Sequence, residues 1–357
     1  MKTIKVELGD RSYNILIGSN LLNRAADLLC ETLSTEKCII ITNPTVDNLY
    51  GNKLKKLLSK SGLTVDLLTV PDGEEYKSLD TAGRLYKELT DCFSERGTPI
   101  LAIGGGVIGD LSGFVAATYM RGVPFIQAPT TLLAQVDSSI GGKVGVDHGN
   151  LKNKIGAFYQ PKLVISDTET LKTLPQKEFA NGMAEVIKSA VIRDRSFFNF
   201  IRENLPAIME QEGDIIEEMV FRTASIKASV VMQDEKDTGL RNILNFGHTI
   251  GHAVESVSDF GISHGQAVAI GMLTEAKISL KMGTLEKNEL TEIEDMLSSC
   301  GLPTRLPELD RDSILQAIQH DKKVTNGKIR FALPGNIGDV YITDEVEPAI
   351  IREALEE

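Results

Sequence analysis

Three of the five histidines in this chain, His248, His252 and His264, fall close together. Imidazole is the commonest protein ligand for zinc-like ions, and a catalytic zinc takes three protein ligands and keeps one position open. His248 and His252 are four residues apart, so on a helix they share a face. His264 opens a second apolar segment, and a sharp turn would return it to the same point. The cluster lacks a carboxylate. Glu185 is the candidate, because it sits in the apolar stretch Asn181-Gly182-Met183-Ala184-Glu185-Val186-Ile187-Lys188, where a solvated acid is out of place. Spacing favours His248 with His252 as an i, i+4 chelate, but it does not fix which two histidines bind.

A second candidate site lies upstream. The strand pattern Ile100-Leu101-Ala102-Ile103 runs into Gly104-Gly105-Gly106-Val107-Ile108-Gly109-Asp110. Glycines let a backbone approach a pyrophosphate, and the N-terminus of the helix behind them favours negative charge. Gly104, Gly106 and Gly109 satisfy G-x-G-x-x-G. Yet the strand is not the first of its sheet and no acid follows about twenty residues on, so a turn made only for packing stays open. The segment Pro71 to Lys77 follows a strand end, and its Asp72, Glu74 and Lys77 could hold ribose hydroxyls. Thr130 and Thr131 follow a strand ending at Pro129, where doubly wound sheets bind ligands.

Cations mark the rest of the site. From Asp137 to Lys154 a long polar loop is expected, carrying Lys143, Lys152 and Lys154. Lys188 and Lys227 interrupt apolar helical stretches, Arg241 precedes the histidines, and Lys322-Lys323 come later. A metal, a nucleotide and clustered cations together suit a phosphorylated polyol that can also carry a carboxylate.

The elements that must position these groups fall into two patterns. Strands at Met1–Leu8, Cys38–Thr42, Leu63–Val70, Pro99–Ile103 and Val123–Ala128 alternate with helices at 45–61 and 79–93. That alternation implies an α/β unit with a mostly parallel sheet. After Leu163-Val164-Ile165-Ser166 the pattern is almost wholly helical, at about 176–193, 196–203, 213–235, 242–258, 263–282, 286–299 and 311–320. A hairpin of 328–333 against 338–342, turning at Pro334-Gly335-Asn336, and a terminal helix over 345–357 complete it. A domain boundary is expected near residue 170, giving an α/β domain over 1–170 and a mostly α-helical domain over 171–357.

The formal net charge of −12 argues against nucleic acid and anionic membranes, which need a broad basic surface. No run of eighteen apolar residues predicts a transmembrane helix, and no apolar segment follows the first lysines as a signal peptide would require. Cys30, Cys38, Cys92 and Cys300 form no CxxC pair and suit a reducing, cytoplasmic setting.

Over essentially its full length the chain resembles the 3-dehydroquinate synthases of the shikimate pathway. The resemblance is carried by Gly105-Gly106-Val107-Ile108-Gly109-Asp110, by Pro129-Thr130-Thr131-Leu132-Leu133-Ala134-Gln135-Val136-Asp137 and by Gly141-Gly142-Lys143. Lys152-Asn153-Lys154-Ile155-Gly156-Ala157-Phe158, the Gly182–Lys188 stretch, Leu244-Asn245-Phe246-Gly247-His248-Thr249, His264-Gly265 and Asp321-Lys322-Lys323 complete it.

What the resemblance implies is an NAD-binding α/β domain joined to a helical metal- and substrate-binding domain. Glu185, His248 and His264 would hold zinc or cobalt, and His252 would face substrate as a proton shuttle. The substrate would be 3-deoxy-D-arabino-heptulosonate 7-phosphate. It would be converted to 3-dehydroquinate and phosphate by transient oxidation with NAD, phosphate elimination, reduction, ring opening and aldol closure. Lys143, Asn153, Lys188, Lys227, Arg241 and Asn245 would bind its anionic and hydroxyl groups, and Lys152 would lie near both cofactor and substrate. Asp137 with Lys143 could relay a hydroxyl proton, and Lys322 or Lys323 would close over the carboxylate. Arg121 would reach the phosphate from a partner subunit, implying a homodimer. NAD would be held by Asp72, Glu74, Lys77, Gly105, Gly106, Gly109, Asp110, Thr130, Thr131, Lys143, Lys152, Thr170 and Thr173.

Three alternatives remain. Another sugar phosphate cyclase would keep the NAD and metal motifs but change the carboxylate-binding cations. A metal-dependent NAD alcohol dehydrogenase of the glycerol dehydrogenase type would not need so many cations. A non-catalytic NAD-binding regulator would have no use for the metal ligands.

Overall fold

The computed structural model describes residues 1–149, 151–259, 261–320, 324–325 and 328–356. The chain folds into two compact units. The first comprises Met1–Leu174 with Ile216–Met232, and the second Pro175–Ile215 with Gln233–Glu357. The chain therefore leaves the first unit, returns to it for most of one helix, and leaves again.

The first unit is built on a seven-stranded sheet. In chain order its strands are β1 (Lys2–Val6), β2 (Tyr13–Gly18), β3 (Lys37–Thr42), β4 (Thr64–Thr69), β5 (Ile100–Gly104) and β6 (Phe125–Pro129). Between β6 and the last sheet strand come β7 (Lys143–His148) and β8 (Leu151–Phe158), which form a separate antiparallel hairpin; β9 (Leu163–Asp167) then closes the sheet. The spatial order is β1-β2-β9-β6-β5-β3-β4. Within this sheet only the β1–β2 pair is antiparallel.

Both sheet faces are covered, which is why β3 and β5 read as near-continuous apolar runs instead of alternating ones. Ile40, Leu101, Ile126 and Ile165 pack on one face with Leu29, Leu54 and Leu58. Ile39, Ile41, Ala102 and Phe125 pack on the other with Leu85, Leu89, Leu111 and Val115. Each fully buried aliphatic side chain contributes about 1.5–3 kcal/mol. Chain order reverses direction between β3 and β5, so the carboxyl ends of these strands mark the position where such a sheet takes a ligand.

The second unit is helical around Ile250, Val254, Ile270, Ile278, Ile314, Phe331 and Leu333. Its Gln176–Arg193 helix is buried continuously from Asn181 to Ile192, so it threads the interior instead of lining a surface.

Three local expectations need correction. The stretch from Asp137 to Lys154 is not a loop: a wide π-helical turn, Ala134–Ser138, precedes the β7–β8 hairpin. The later hairpin pairs Phe331–Asn336 with Asp339–Thr343 and turns at Ile337-Gly338. Gly338 supplies the positive φ of 108° that such a tight turn requires, while Pro334 is accommodated beside a register shift. The expected 242–258 helix is broken: Leu240–Asn245 forms a 3-10 turn, and the α-helix starts at His248 after Gly247 in the left-handed region.

Candidate functional site

Three helices of the second unit bring the metal candidates together. Glu185 lies midway along the buried Gln176–Arg193 helix. His264 is the first residue of the His264–Lys281 helix, whose start is fixed by a Ser263–Gln266 capping box. Ser263 Oγ also donates to Asn181 Oδ1 at 2.6 Å, tying that start to the Glu185 helix. The glycine of the His264-Gly265 pair is required by this closeness, since a Cβ there would meet Asn181 O at 2.3 Å. His248 opens the His248–Val257 helix.

The ligand atoms of Glu185, His248 and His264 all lie within 4.8 Å of one another. Glu185 Oε1 faces His248 Nε2 at 3.5 Å and His264 Nε2 at 3.7 Å. These separations are long for hydrogen bonds. They suit donor atoms around a tetrahedral ion, where bonds of about 2.1 Å place neighbouring ligands about 3.4 Å apart. The set fits zinc or cobalt: one carboxylate, two imidazoles and room for a fourth ligand. His248 Nδ1 stands 3.2 Å from Phe246 O, and His264 Nδ1 stands 3.6 Å from Glu255 Oε2. Such outer contacts orient imidazoles toward a metal.

His252 is outside the group. It is exposed, and its ring lies edge-on to His248 with centroids 5.2 Å apart. The i, i+4 preference for His248 with His252 therefore fails: helical spacing brings the two rings near each other, but the start of the next helix supplies the second imidazole donor.

Electrostatics agree with a cation site. Glu185 is 1% exposed, and its Oε2 contacts the Lys188 ammonium. Burial pushes the Glu185 carboxyl up, but Lys188 and His264 outweigh it and hold it at about 2. Burial pulls His264 down, yet Glu185 and Glu255 outweigh that and raise it to about 9. Without a metal, positive charge on Lys188 and His264 compensates the buried acid, so metal binding at this site would displace a proton.

The other cations of this unit are buried with it. Lys188 is 2% and Arg241 3% exposed. Arg241 Nη1 donates to Glu235 O at 2.8 Å. The Asp234 carboxylate accepts from the backbone N–H groups of Thr238, Gly239 and Arg241 at 3.0, 2.7 and 3.0 Å. These bonds, that of Thr238 first, hold Asp234 at about 2. Asn245 is half-buried and donates to Asn242 Oδ1 at 3.4 Å.

In the first unit the glycine loop follows β5, and the Gly106–Thr118 helix behind it has no side-chain cap at Gly105. Its first N–H groups are thus left for a ligand such as a pyrophosphate. A Cβ on Gly104 would meet Ile108 at 2.8 Å, so that glycine serves packing, whereas a Cβ on Gly105 or Gly106 would stand 3.1 Å from Thr131 or 3.2 Å from Ser138. Gly109 approaches the Gln127 carboxamide. Thr130 is buried, and Thr131 Oγ1 accepts from Ala134 N at 3.2 Å.

Beyond the loop, Lys77 is buried and pairs with Asp110 Oδ2 at 2.7 Å while donating to Asn153 Oδ1 at 2.6 Å. Burial lowers the Lys77 pKa, but Asp110 and Glu74 more than reverse it. Burial raises Asp110 and Glu74, with Lys77 opposing in both. Asn153, at φ 52°, is also held by Asp147 Oδ1, which accepts its N–H at 2.7 Å. Lys152 is half-buried and Lys143 exposed.

Asp72 Oδ2 accepts from Thr45 Oγ1 at 3.1 Å. Thr170 Oγ1 donates to Asp167 O at 2.8 Å, and Thr173 Oγ1 lies 2.5 Å from the Tyr50 hydroxyl. Asp137 receives Lys227 Nζ on Oδ1 at 2.6 Å and on its carbonyl at 2.7 Å. Arg121 is exposed on a strained turn, with φ of 49°, 66° and 116° at Met120, Arg121 and Gly122. Lys322, like Asp321 and Lys323, lies outside the described residues.

Sequence reasoning missed Asp234, Glu255, the Lys227–Asp137 pair and the Lys77–Asp110–Asn153 network. Asp234 had a signal: an acid four residues ahead of Thr238-Gly239 fits a side-chain-closed turn. The others join residues distant in sequence, and no local spacing marks them.

Two family models cover residues 67–181 and 182–324, described as 3-dehydroquinate synthase N-terminal and C-terminal. The chain belongs to the 3-dehydroquinate synthase family. A family member from Dehalococcoides mccartyi is 52% identical over 357 residues, covering 100% of this chain and 99% of its own. One from Desulforamulus reducens is 47% identical, covering 99% of each chain. Among solved structures, 2-epi-5-epi-valiolone synthase from Streptomyces hygroscopicus, with NAD+ and Zn2+ bound, is 27% identical with a TM-score of 0.90, covering 100% of this chain and 98% of that one. A 2-deoxy-scyllo-inosose synthase complexed with carbaglucose-6-phosphate, NAD+ and Co2+ is 28% identical, also at 0.90, covering 99% of each. The fold is the one expected: a mostly parallel α/β sheet unit with a helical partner.

Proposed function

We propose that this chain converts 3-deoxy-D-arabino-heptulosonate 7-phosphate to 3-dehydroquinate and phosphate, as a cytoplasmic homodimer using recycled NAD and zinc or cobalt. The observation that carries the reading is the Glu185–His248–His264 cluster, set beside buried Lys188 in a chain of this family. A metal held by Glu185, His248 and His264 would supply Lewis acidity toward a substrate hydroxyl, and NAD would supply a hydride acceptor.

The remaining roles belong to the chain. Lys188, Lys227, Arg241 and one of Lys322 and Lys323 bind the carboxylate and phosphate, with Arg241 oriented by the loop that Asp234 closes. Asn153, Asn245 and Lys143 bind hydroxyls. Asp137 accepts a hydroxyl proton, with Lys227 and Lys143 stabilising its anionic form. His252, exposed beside His248, shuttles protons. Arg121 serves the phosphate bound by the partner subunit. Gly105, Gly106 and Gly109 let the backbone approach the pyrophosphate, and Asp72, Glu74, Lys77, Asp110, Thr130, Thr131, Lys152, Thr170 and Thr173 hold the rest of the dinucleotide. The cofactor and substrate domains are assigned to 1–170 and 171–357, with Ile216–Met232 packed into the α/β unit.

The test is NAD-dependent release of phosphate from 3-deoxy-D-arabino-heptulosonate 7-phosphate, before and after chelation, with sedoheptulose 7-phosphate and glucose 6-phosphate in parallel. Chelator-sensitive release from the first substrate alone, with 3-dehydroquinate formed, supports the proposal. Release only from another sugar moves the chain to a sister cyclase, and no release from any sugar sinks the cyclase reading.

A further inference from the structure

The His248–Val257 helix lacks an ordinary start. A helix begins with unsatisfied N–H groups, normally met by the side chain of the capping residue. Here that residue is Gly247, at φ 79°, and it has no side chain to offer. Glycine is demanded by the neighbouring helix: a Cβ on Gly247 would meet Met272 Cγ at 2.5 Å and Val268 O at 2.8 Å. Gly271 is equally constrained, since its Cβ would lie 1.9 Å from Gly247 O. The two helices touch backbone to backbone at the residue before a metal ligand.

The missing cap comes from across that contact. Glu275, on the His264–Lys281 helix, is 0% exposed. Its Oε2 accepts from Gly247 N at 2.6 Å, and its Oε1 accepts from Thr249 N at 3.2 Å and Ile250 N at 3.3 Å. These bonds bracket His248 on both sides. A carboxylate at a helix N-terminus is also favoured by the helix dipole.

We propose that Glu275 is a positioning residue for the metal centre, fixing the backbone of His248 from the helix that itself opens with His264. One side chain thereby couples the two imidazole ligands: the helix that carries His264 holds the residue that aims His248. This rests on the metal-site reading above. Substituting groups that orient metal ligands typically costs about 10–100-fold in metal affinity.

Cobalt titration of the metal-stripped protein, followed by the d–d absorption of the bound ion, tests it. Glu275→Gln keeps the shape but replaces a charged acceptor with an amide whose NH2 confronts N–H groups. It is expected to bind cobalt at least about tenfold more weakly, with a shifted d–d band, while NAD affinity and far-ultraviolet circular dichroism stay as in the parent. Glu275→Asp, which keeps the charge but shortens the reach, should fall between. A folded Glu275→Gln protein with parental cobalt affinity and band overturns the proposal. If that variant does not fold, Glu275→Asp decides: a shifted band supports the coupling, and an unchanged band overturns it. Failure of the parent itself to bind cobalt would refute the metal site, a result separate from any effect of the variants.

Discussion

Replacing Lys188 with methionine tests whether the buried ammonium is a stand-in for a metal. Lys188 and Glu185 are 2% and 1% exposed and in contact. Glu185 is held at about 2 against an ordinary value of 4.5, despite the opposing effect of burial. That depression, to which Lys188 and His264 both contribute, corresponds to about 3 kcal/mol at about 1.36 kcal/mol per tenfold change in the proton equilibrium. Removing one partner of a buried pair typically costs about 3–5 kcal/mol, a consistent figure.

The sign follows from linkage. The folded-state pKa of Glu185 is depressed, so its contribution is present above about 4.5 and is lost as pH falls toward about 2. Metal-free Lys188→Met should therefore unfold roughly 6–12 °C lower than the parent at pH 7, using about 2–4 °C per kcal/mol, and the gap should narrow by about pH 3. With zinc bound, the ion compensates Glu185 and the gap should shrink at pH 7 as well. Calorimetry with and without chelator at both pH values measures this. A gap unchanged by zinc would refute the reasoning. So would Lys188→Met/Glu185→Gln being less stable than Lys188→Met alone, because neutralising the orphaned acid must restore stability.

Three further outcomes follow from the geometry. His264→Ala should lose metal and activity together while His252→Ala keeps metal and loses activity, as metal analysis and phosphate release would show; metal loss in His252→Ala would contradict the ligand set. Asp234→Ala frees the N–H of Arg241, so KM should rise by more than kcat falls. The stability carried by Asp234 is present above 3.8 and lost as pH drops toward about 2, so in acid the variant and parent should converge in melting temperature. Gly247→Ala forces an L side chain into positive φ against Met272 and Val268; it should cost about 1–3 kcal/mol or more in thermal unfolding and weaken cobalt binding.

Much of this was legible in the chain. The alternation of strand and helix patterns announced a mostly parallel sheet, and the apolar runs at β3 and β5 fit strands buried on both faces. Glu185 stood out as an acid in an apolar helix, and the glycine loop announced a tight strand-to-helix turn. The partner of His248 was not legible from spacing, because His264 reaches it through tertiary packing at Gly265 and Asn181. The β7–β8 hairpin was hidden because glycines and polar residues dominate both strands, masking their alternation. The cap on the histidine helix could not be found locally at all: Glu275 follows Gly247 only after an intervening turn and most of another helix.

The division of the chain has a consequence for its ancestry. The junction between the two family models, at residues 181 and 182, falls inside the buried Gln176–Arg193 helix. The structural units change at 174–175, then at 215–216, and again at 232–233. A single genetic crossover at 174–175, 181–182 or 215–216 would separate Lys227 from Asp137, and one at 232–233 would separate Glu185 from His248 and His264. The two units are therefore not interchangeable cassettes. Each of these junctions would divide one cluster of paired or ligating side chains between two parents, so the excursion of Ile216–Met232 into the first unit ties the inheritance of the two sequence halves together.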